Sequence, residues 1–373
     1  MLRRHSVGAA ITTLTVLALA IYDQGCSAST EGSGSVSVSA SGSGGSGGAS
    51  DVASSSGVGG AGGGGGGAGG SAPSCEPYDG AVLAIDEIFL GANGFDGTKA
   101  SDAWKEFGFD LDGQTTGADT SKHCLPVMGG ATSAFGDGPM GRDNSFGRNV
   151  LPAVNALVPP LDQQANDAIS KGQFTQLFAF EGLGSEANVD KLTTRVFGGA
   201  PLGKAPAWNG GDCWPLLHET LTNPADPASA KTLFVDSKIV NNRWESNGTR
   251  DFVLALNVAG ITVPITIYQA RMSAQLAPTH EGGALGQIGG YVKTEEFVKS
   301  VRVVAGVLGQ TACDAFDSVL ANQIRRASDI LDDGTQDPTK TCNAISVGIG
   351  FTLRKVGLGD VAKPVTLLED ACN

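Results

Sequence analysis

The sequence predicts an α+β fold: an antiparallel, β-rich and sandwich-like sheet with several packed helices, fastened by disulfides. Three observations carry this. Residues 344–353 alternate Ile345, Val347, Ile349, Phe351 and Leu353 with Ala344, Ser346, Gly348, Gly350 and Thr352, the period of a strand. Residues 251–276 read as a long hairpin. Two apolar stripes of helical period, 294–308 and 311–331, follow the strands in a block instead of alternating with them, which favours α+β over a doubly wound sheet.

Taken in chain order, Pro159 and Pro160 break a helical pattern into two short segments on either side. Residues 174–181 and 232–240 are strand candidates. In the hairpin, Phe252, Leu254 and Leu256 line the first strand and Gly260 ends the turn. Ile261, Val263, Ile265 and Ile267 line the second, where Pro264 favours an edge or an irregularity. Beyond Gln269 the apolar positions change parity to Ala270, Met272, Ala274 and Leu276, so a bulge or bend is expected there. The helix at 294–308 puts Phe297, Val301, Val304 and Leu308 on one face. The helix at 311–331 is expected to start at an N-cap Thr311, with Phe316, Val319, Leu320, Ile324, Ala327 and Leu331 as its stripe and Gly334 beyond its end. The small residues opposite the apolar face of 344–353 leave room for another backbone, a helix or a ligand, close packing being the commoner use.

The amino terminus carries Arg3 and Arg4 before an apolar run at 7–22, the pattern of a secretory signal over residues 1–25. Gly25-Cys26 fits acylation of Cys26, although Asp23 and Gln24 depart from the lipoprotein pattern; the rival is cleavage after Ala28. Residues 26–74 form a Gly/Ser-rich tether that cannot bury enough surface to order itself. The folded extracytoplasmic domain is then 75–373, with a subdomain boundary possible near 200–213. The expected location is the outer membrane or cell surface through a lipid anchor, otherwise the periplasm or the medium.

Apart from Cys26, six cysteines remain: Cys75, Cys124, Cys213, Cys313, Cys342 and Cys372. In an exported chain they suggest three disulfides, and a Cys75–Cys372 pair would fasten both ends, though six cysteines allow about 15 connectivities. No CxxC spacing points to zinc. The net charge of −13 disfavours nucleic acid, whose phosphates an acidic surface repels.

Candidate motifs are weak. Gly182, Gly184 and Ala187 imitate a dinucleotide fingerprint, which needs a helix after its glycines; the sequence that follows is a poor helix. Ser346 in AISVG resembles a nucleophile elbow but falls within a strand. His123, His218 and His280 are scattered. Trp208, Asp212 and Trp214 in WNGGDCW, with His218 and Glu219, combine aromatic surface and carboxylates as sugar hydrolases do, yet four Trp and four Tyr are few for a carbohydrate surface. Asp110, Asp112, Asp137, Asp143 and Asn144 lie in glycine-rich sequence suited to calcium, without the spacing of an EF-hand loop. Asp329, Asp332, Asp333 and Asp337 read as the solvated end of a helix. No catalytic residue is assigned, and calcium is the one cofactor considered.

With AWKEFGFDLDG, DNSFGRNVLP and ISVGIGF in view, the region after the tether resembles the uncharacterised, glycine-tethered lipoproteins of gliding soil bacteria. That resemblance implies export and anchoring and no chemistry. The expected function is that of a cell-envelope lipoprotein with a non-catalytic domain for a ligand or partner of unknown identity. Two alternatives are a hydrolase whose site assembles from distant segments and a calcium-stabilised adhesion or structural module.

Overall fold

The computed structural model describes residues 75–115, 121–258, 261–364 and 369–372; the signal, Cys26 and the tether lie outside them. In chain order the strands are β1 (Gly80–Phe89), β2 (Thr175–Glu181), β3 (Val189–Gly199), β4 (Cys213–Leu216), β5 (Thr232–Val240), β6 (Arg243–Glu245), β7 (Arg250–Val258), β8 (Ile261–Leu276), β9 (Gly282–Lys293), β10 (Ala344–Lys355) and β11 (Gly357–Val361). The helices are α1 (Leu151–Asn155), α2 (Leu161–Ser170), α3 (Thr294–Leu308), α4 (Gln310–Ala315) and α5 (Ala321–Arg326).

Eight strands close on themselves in the order β1, β2, β3, β5, β6, β8, β9, β10 and back to β1, every pair antiparallel. The antiparallel β-rich sheet with packed helices that the sequence predicts is present, and its closure into a barrel is more specific than the sandwich-like sheet expected. Closure depends on pairings between distant segments, such as Leu83 with Lys355 and Thr194 with Phe234, and it removes the free edges that an open sheet must protect. β7 pairs only with the first half of β8, while β4 and β11 run parallel to each other and meet the barrel at Gly199 and Leu216.

An eight-stranded barrel is just wide enough to be filled by side chains. Here Phe178 and Phe180 of β2, Trp244 of β6 and Phe351 of β10 meet inside, with Phe178 stacked on Phe351 at 5.4 Å and edge-on to Trp244 at 5.7 Å. Gly286 of β9 makes room, since a Cβ there would strike the Phe351 ring. The core continues through Phe146, Leu151, Phe297, Phe316 and Ile324 of the helical segments. Outside the barrel, Val82, Ala84, Leu177 and Phe197 are covered by Trp214 and Leu216 of β4 and Leu358 of β11.

Most local expectations hold. The strands at 174–181 and 232–240, the helix at 294–308 and the two segments around Pro159 and Pro160 all form. The long hairpin is β7–β8; of its turn, residues 259–260 lie outside the described residues. The parity change falls where expected, because Gln269 has φ +48° and the β8–β9 register shifts between Tyr268 and Arg271. The small face of β10 receives another backbone, as a Cβ on Gly348 would run into the Phe107 carbonyl and one on Gly350 into the Phe107 ring. Gly348→Ala is accordingly expected to cost about 1–3 kcal/mol by overpacking, read as a lower urea midpoint at unchanged slope. An unchanged midpoint would show that the Phe107 loop yields.

The helix expected at 311–331 differs. It begins at Gln310 after Gly309, whose φ is +102°, and ends at Arg326. Its middle, Phe316–Leu320, is a π-helical turn. That turn shifts the phase of the stripe, so Phe316, Leu320 and Ile324 are buried while Val319 faces solvent. Ile330 leaves the helix to bridge Ala344 at the start of β10.

Three disulfides join Cys75–Cys213, Cys124–Cys342 and Cys313–Cys372, with Cα separations of 4.8, 5.2 and 5.4 Å. The two ends of the domain are not joined to each other. Cys75 is tied to β4 and Cys372 to α4, because the terminal segments pack on different parts of the surface. Among the described residues, no helix is long and apolar enough to cross a membrane.

Candidate functional site

The loops that cover β10 also gather acidic side chains. Asp110 and Asp112 stand in a tight turn, where the Gly113 N–H donates to Asp110 Oδ1 at 2.7 Å and the Gln114 N–H to Asp112 Oδ1 at 2.8 Å. Asp143 is brought beside them by two bonds to the same loop: its own N–H donates to the Phe109 carbonyl at 3.0 Å, and its Oδ2 accepts from the Leu111 N–H at 2.7 Å. One oxygen from each of Asp110, Asp112 and Asp143 falls within 4.8 Å of the others. Gln336 fixes the far side, donating from Nε2 to Asp112 Oδ2 at 2.8 Å and to the Asp329 carbonyl at 3.0 Å.

The electrostatics are those of crowded negative charge. Burial, and then the Asp112 carboxylate, push the Asp143 carboxyl up to about 10 against the Leu111 N–H, with Asp329 and Asp137 adding smaller contributions. Burial pushes Asp329 up to about 7, opposed by the Ser346 hydroxyl and amide that bond its carboxylate. Among the described residues, no Lys, Arg or His pairs with Asp110, Asp112, Asp143 or Asp329. Oxygen donors without a neutralising side chain suit a hard cation such as calcium, which takes six to eight oxygens and would complete its shell with carbonyls or water. At neutral pH without a cation, Asp143 keeps its proton.

Asn144 departs from the expected ligand set. Its Nδ2 donates to the Trp104 carbonyl, and its Oδ1 accepts from Gly147 and Gly348, so it pins the loop to β10. Asp137 acts on the cluster through its charge without joining the group of three. Asp329 is missed in the sequence, where it groups with exposed Asp332 and Asp333; it is buried because the chain turns into β10 after Arg326. No local pattern distinguishes it from its neighbours.

The other motifs resolve into structural roles. Gly182 takes φ +67° in a turn and is followed by β3, with no helix to meet a pyrophosphate. Ser346 is buried in β10, donating to Asp329 and accepting from the Ser145 N–H. Asp212 is buried and accepts from the Trp208 N–H at 2.7 Å, while Trp214 is fully buried beside the Cys75–Cys213 disulfide. His123 stacks on Phe135, His218 lies 4.0 Å from Glu219, and His280 is buried against the Gly184 carbonyl, three separate places. No family model, curated protein or solved structure matches the chain.

Proposed function

We propose that the chain is an extracytoplasmic lipoprotein, anchored at Cys26, whose barrel is a non-catalytic module displayed on the 26–74 tether to bind a ligand or partner at its outer surface. The observation that carries this is the filled barrel: Phe178, Phe180, Trp244 and Phe351 occupy the lumen, which leaves recognition to the loops and helices outside. Three disulfides support an oxidising compartment. The residues nearest to catalytic motifs, Ser346 and Asp212, are buried and engaged in holding backbone.

Native mass spectrometry of the full mature chain from its source membrane tests the reading. The expected result is an acylated Cys26 together with a non-covalently bound molecule or partner. Turnover in a broad hydrolase screen that is lost in Asp212→Asn or His218→Ala would overturn it.

The Asp110, Asp112 and Asp143 cluster favours a second element of the reading, that calcium stabilises the module. A thermal midpoint that rises with calcium and falls on chelation is the expected outcome.

A further inference from the structure

A groove of about 290 Å³ opens on the surface beside α5, lined by the Gly129–Gly130 loop, Ser133, Asn149, Gln323 and Arg326. Arg326 is exceptional within the chain. Of the ten described arginines it alone has no hydrogen bond, ion pair or ring partner: Arg195, Arg243, Arg302, Arg325 and Arg354 pair with carboxylates, Arg142 and Arg250 donate to carbonyls, and Arg148 and Arg271 lie over aromatic rings. The Arg326 guanidinium thus keeps all its donors for a ligand, where even the described arginines that pair with no carboxylate are engaged by a carbonyl or a ring.

Its position is built. The guanidinium rests on Gly129, where φ is +79° and a Cβ would come within 2.9 Å of Nη2. On the opposite wall, Asn149 is held by its Nδ2 bond to Ser145 Oγ at 2.8 Å, and that hydroxyl donates to the Ala327 carbonyl one residue after Arg326. Both walls contain or adjoin a π-helical turn, Phe146–Val150 and Phe316–Leu320, a distortion found often at functional sites.

We infer that this groove binds a small hydroxylated carboxylate, its carboxylate on Arg326 and its hydroxyls on Ser133 and Gln323. Guanidinium geometry matches a carboxylate bidentately. The volume, just below that of most ligand sites, gives room for a ligand of hydroxy-acid size. The inference rests on the binding-module reading above and names its ligand class.

Calorimetric titration of the full mature chain with D-gluconate tests it, with D-sorbitol as the same chain lacking the carboxylate and inorganic phosphate as the bare oxyanion. Saturable gluconate binding without sorbitol binding is expected, weakened at least about tenfold in Arg326→Ala and severalfold in Gln323→Ala. Both side chains are exposed, so unchanged circular dichroism would show that each variant folds. Absence of gluconate binding at millimolar concentration, or binding that survives in Arg326→Ala, overturns the inference. Phosphate binding as tight as gluconate overturns the hydroxylated assignment. The module reading falls on a different result, a native chain that carries nothing and turns over a substrate.

Discussion

Replacing Cys124 and Cys342 together by alanine is expected to lower stability by about 5 kcal/mol, the chain-entropy value for a loop of this length. The two cysteines stand 218 residues apart, the longest span of the three disulfides and far beyond the 59 between Cys313 and Cys372. Cross-linking such a span removes more conformations from the unfolded chain. For a domain near 300 residues that loss corresponds to a fall in Tm of about 10 °C. The effect should extend to the acidic site, because the Cys124 N–H donates to Gln336 Oε1 and Gln336 in turn holds Asp112. The double variant is therefore expected to show a smaller rise in Tm with calcium than the parent chain. A fall in Tm of under about 2 °C would mean that the unfolded chain is already compact in this region.

The second large effect is the pH dependence of the cation-free protein. Asp329 and Asp143 have folded values raised to about 7 and about 10, above the ordinary carboxylate range near 4. Between the unfolded and folded values the native chain holds protons that the unfolded chain releases. Their stabilisation is thus fully present at about pH 4 and is lost as pH rises, through pH 7 for Asp329 and on towards 10 for Asp143. In EDTA the Tm should fall steadily from weakly acidic to alkaline pH, once other titrations are matched in the variants. Calcium inverts the trend because it binds the ionised carboxylates, and at about a hundredfold above its Kd it would contribute about 2.7 kcal/mol. Asp143→Asn preserves an oxygen for the Leu111 N–H while removing the buried charge. It is expected to raise the alkaline Tm in EDTA and to abolish the response to calcium. A calcium response of full size in Asp143→Asn would remove this cluster from consideration, and a Tm in EDTA that rises between pH 5 and 9 would contradict the protonation assigned to both aspartates.

Legibility of the fold varied with how many faces of an element are buried. β10 and the β7–β8 hairpin show clear alternation, and even the break in phase at Gln269 can be read locally because it reverses the side-chain pattern. β1, GAVLAIDEIF, gives no such signal. Its inward residues Leu83 and Ile85 meet the lumen, while outward Val82 and Ala84 are covered with β4 and β11, so both faces are apolar and the period of two disappears. β9 hides for the opposite reason: Gly286, Gly289 and Gly290 admit Phe351, Phe109 and the β8 backbone, and glycine carries little strand preference. Of the candidate site, Asp110, Asp112 and Asp143 were visible as carboxylates among glycines, whereas Asn144 proved to be a brace, and Asp329, outside the group of three, is buried and acts on Asp143 through its charge.

Local chemistry along the chain set the individual elements: where period two or 3.6 survives, and where prolines and glycines interrupt it. Barrel closure, the pairing of the disulfides and the gathering of Asp110, Asp112 and Asp143 at one place come from tertiary contacts alone. The reason is the same in each case. Strand period and turn chemistry act between neighbours along the chain, whereas closure, cysteine pairing and charge crowding depend on contacts such as Leu83 with Lys355, Cys124 with Cys342 and Asp112 with Gln336, which have no signature until the intervening chain has folded.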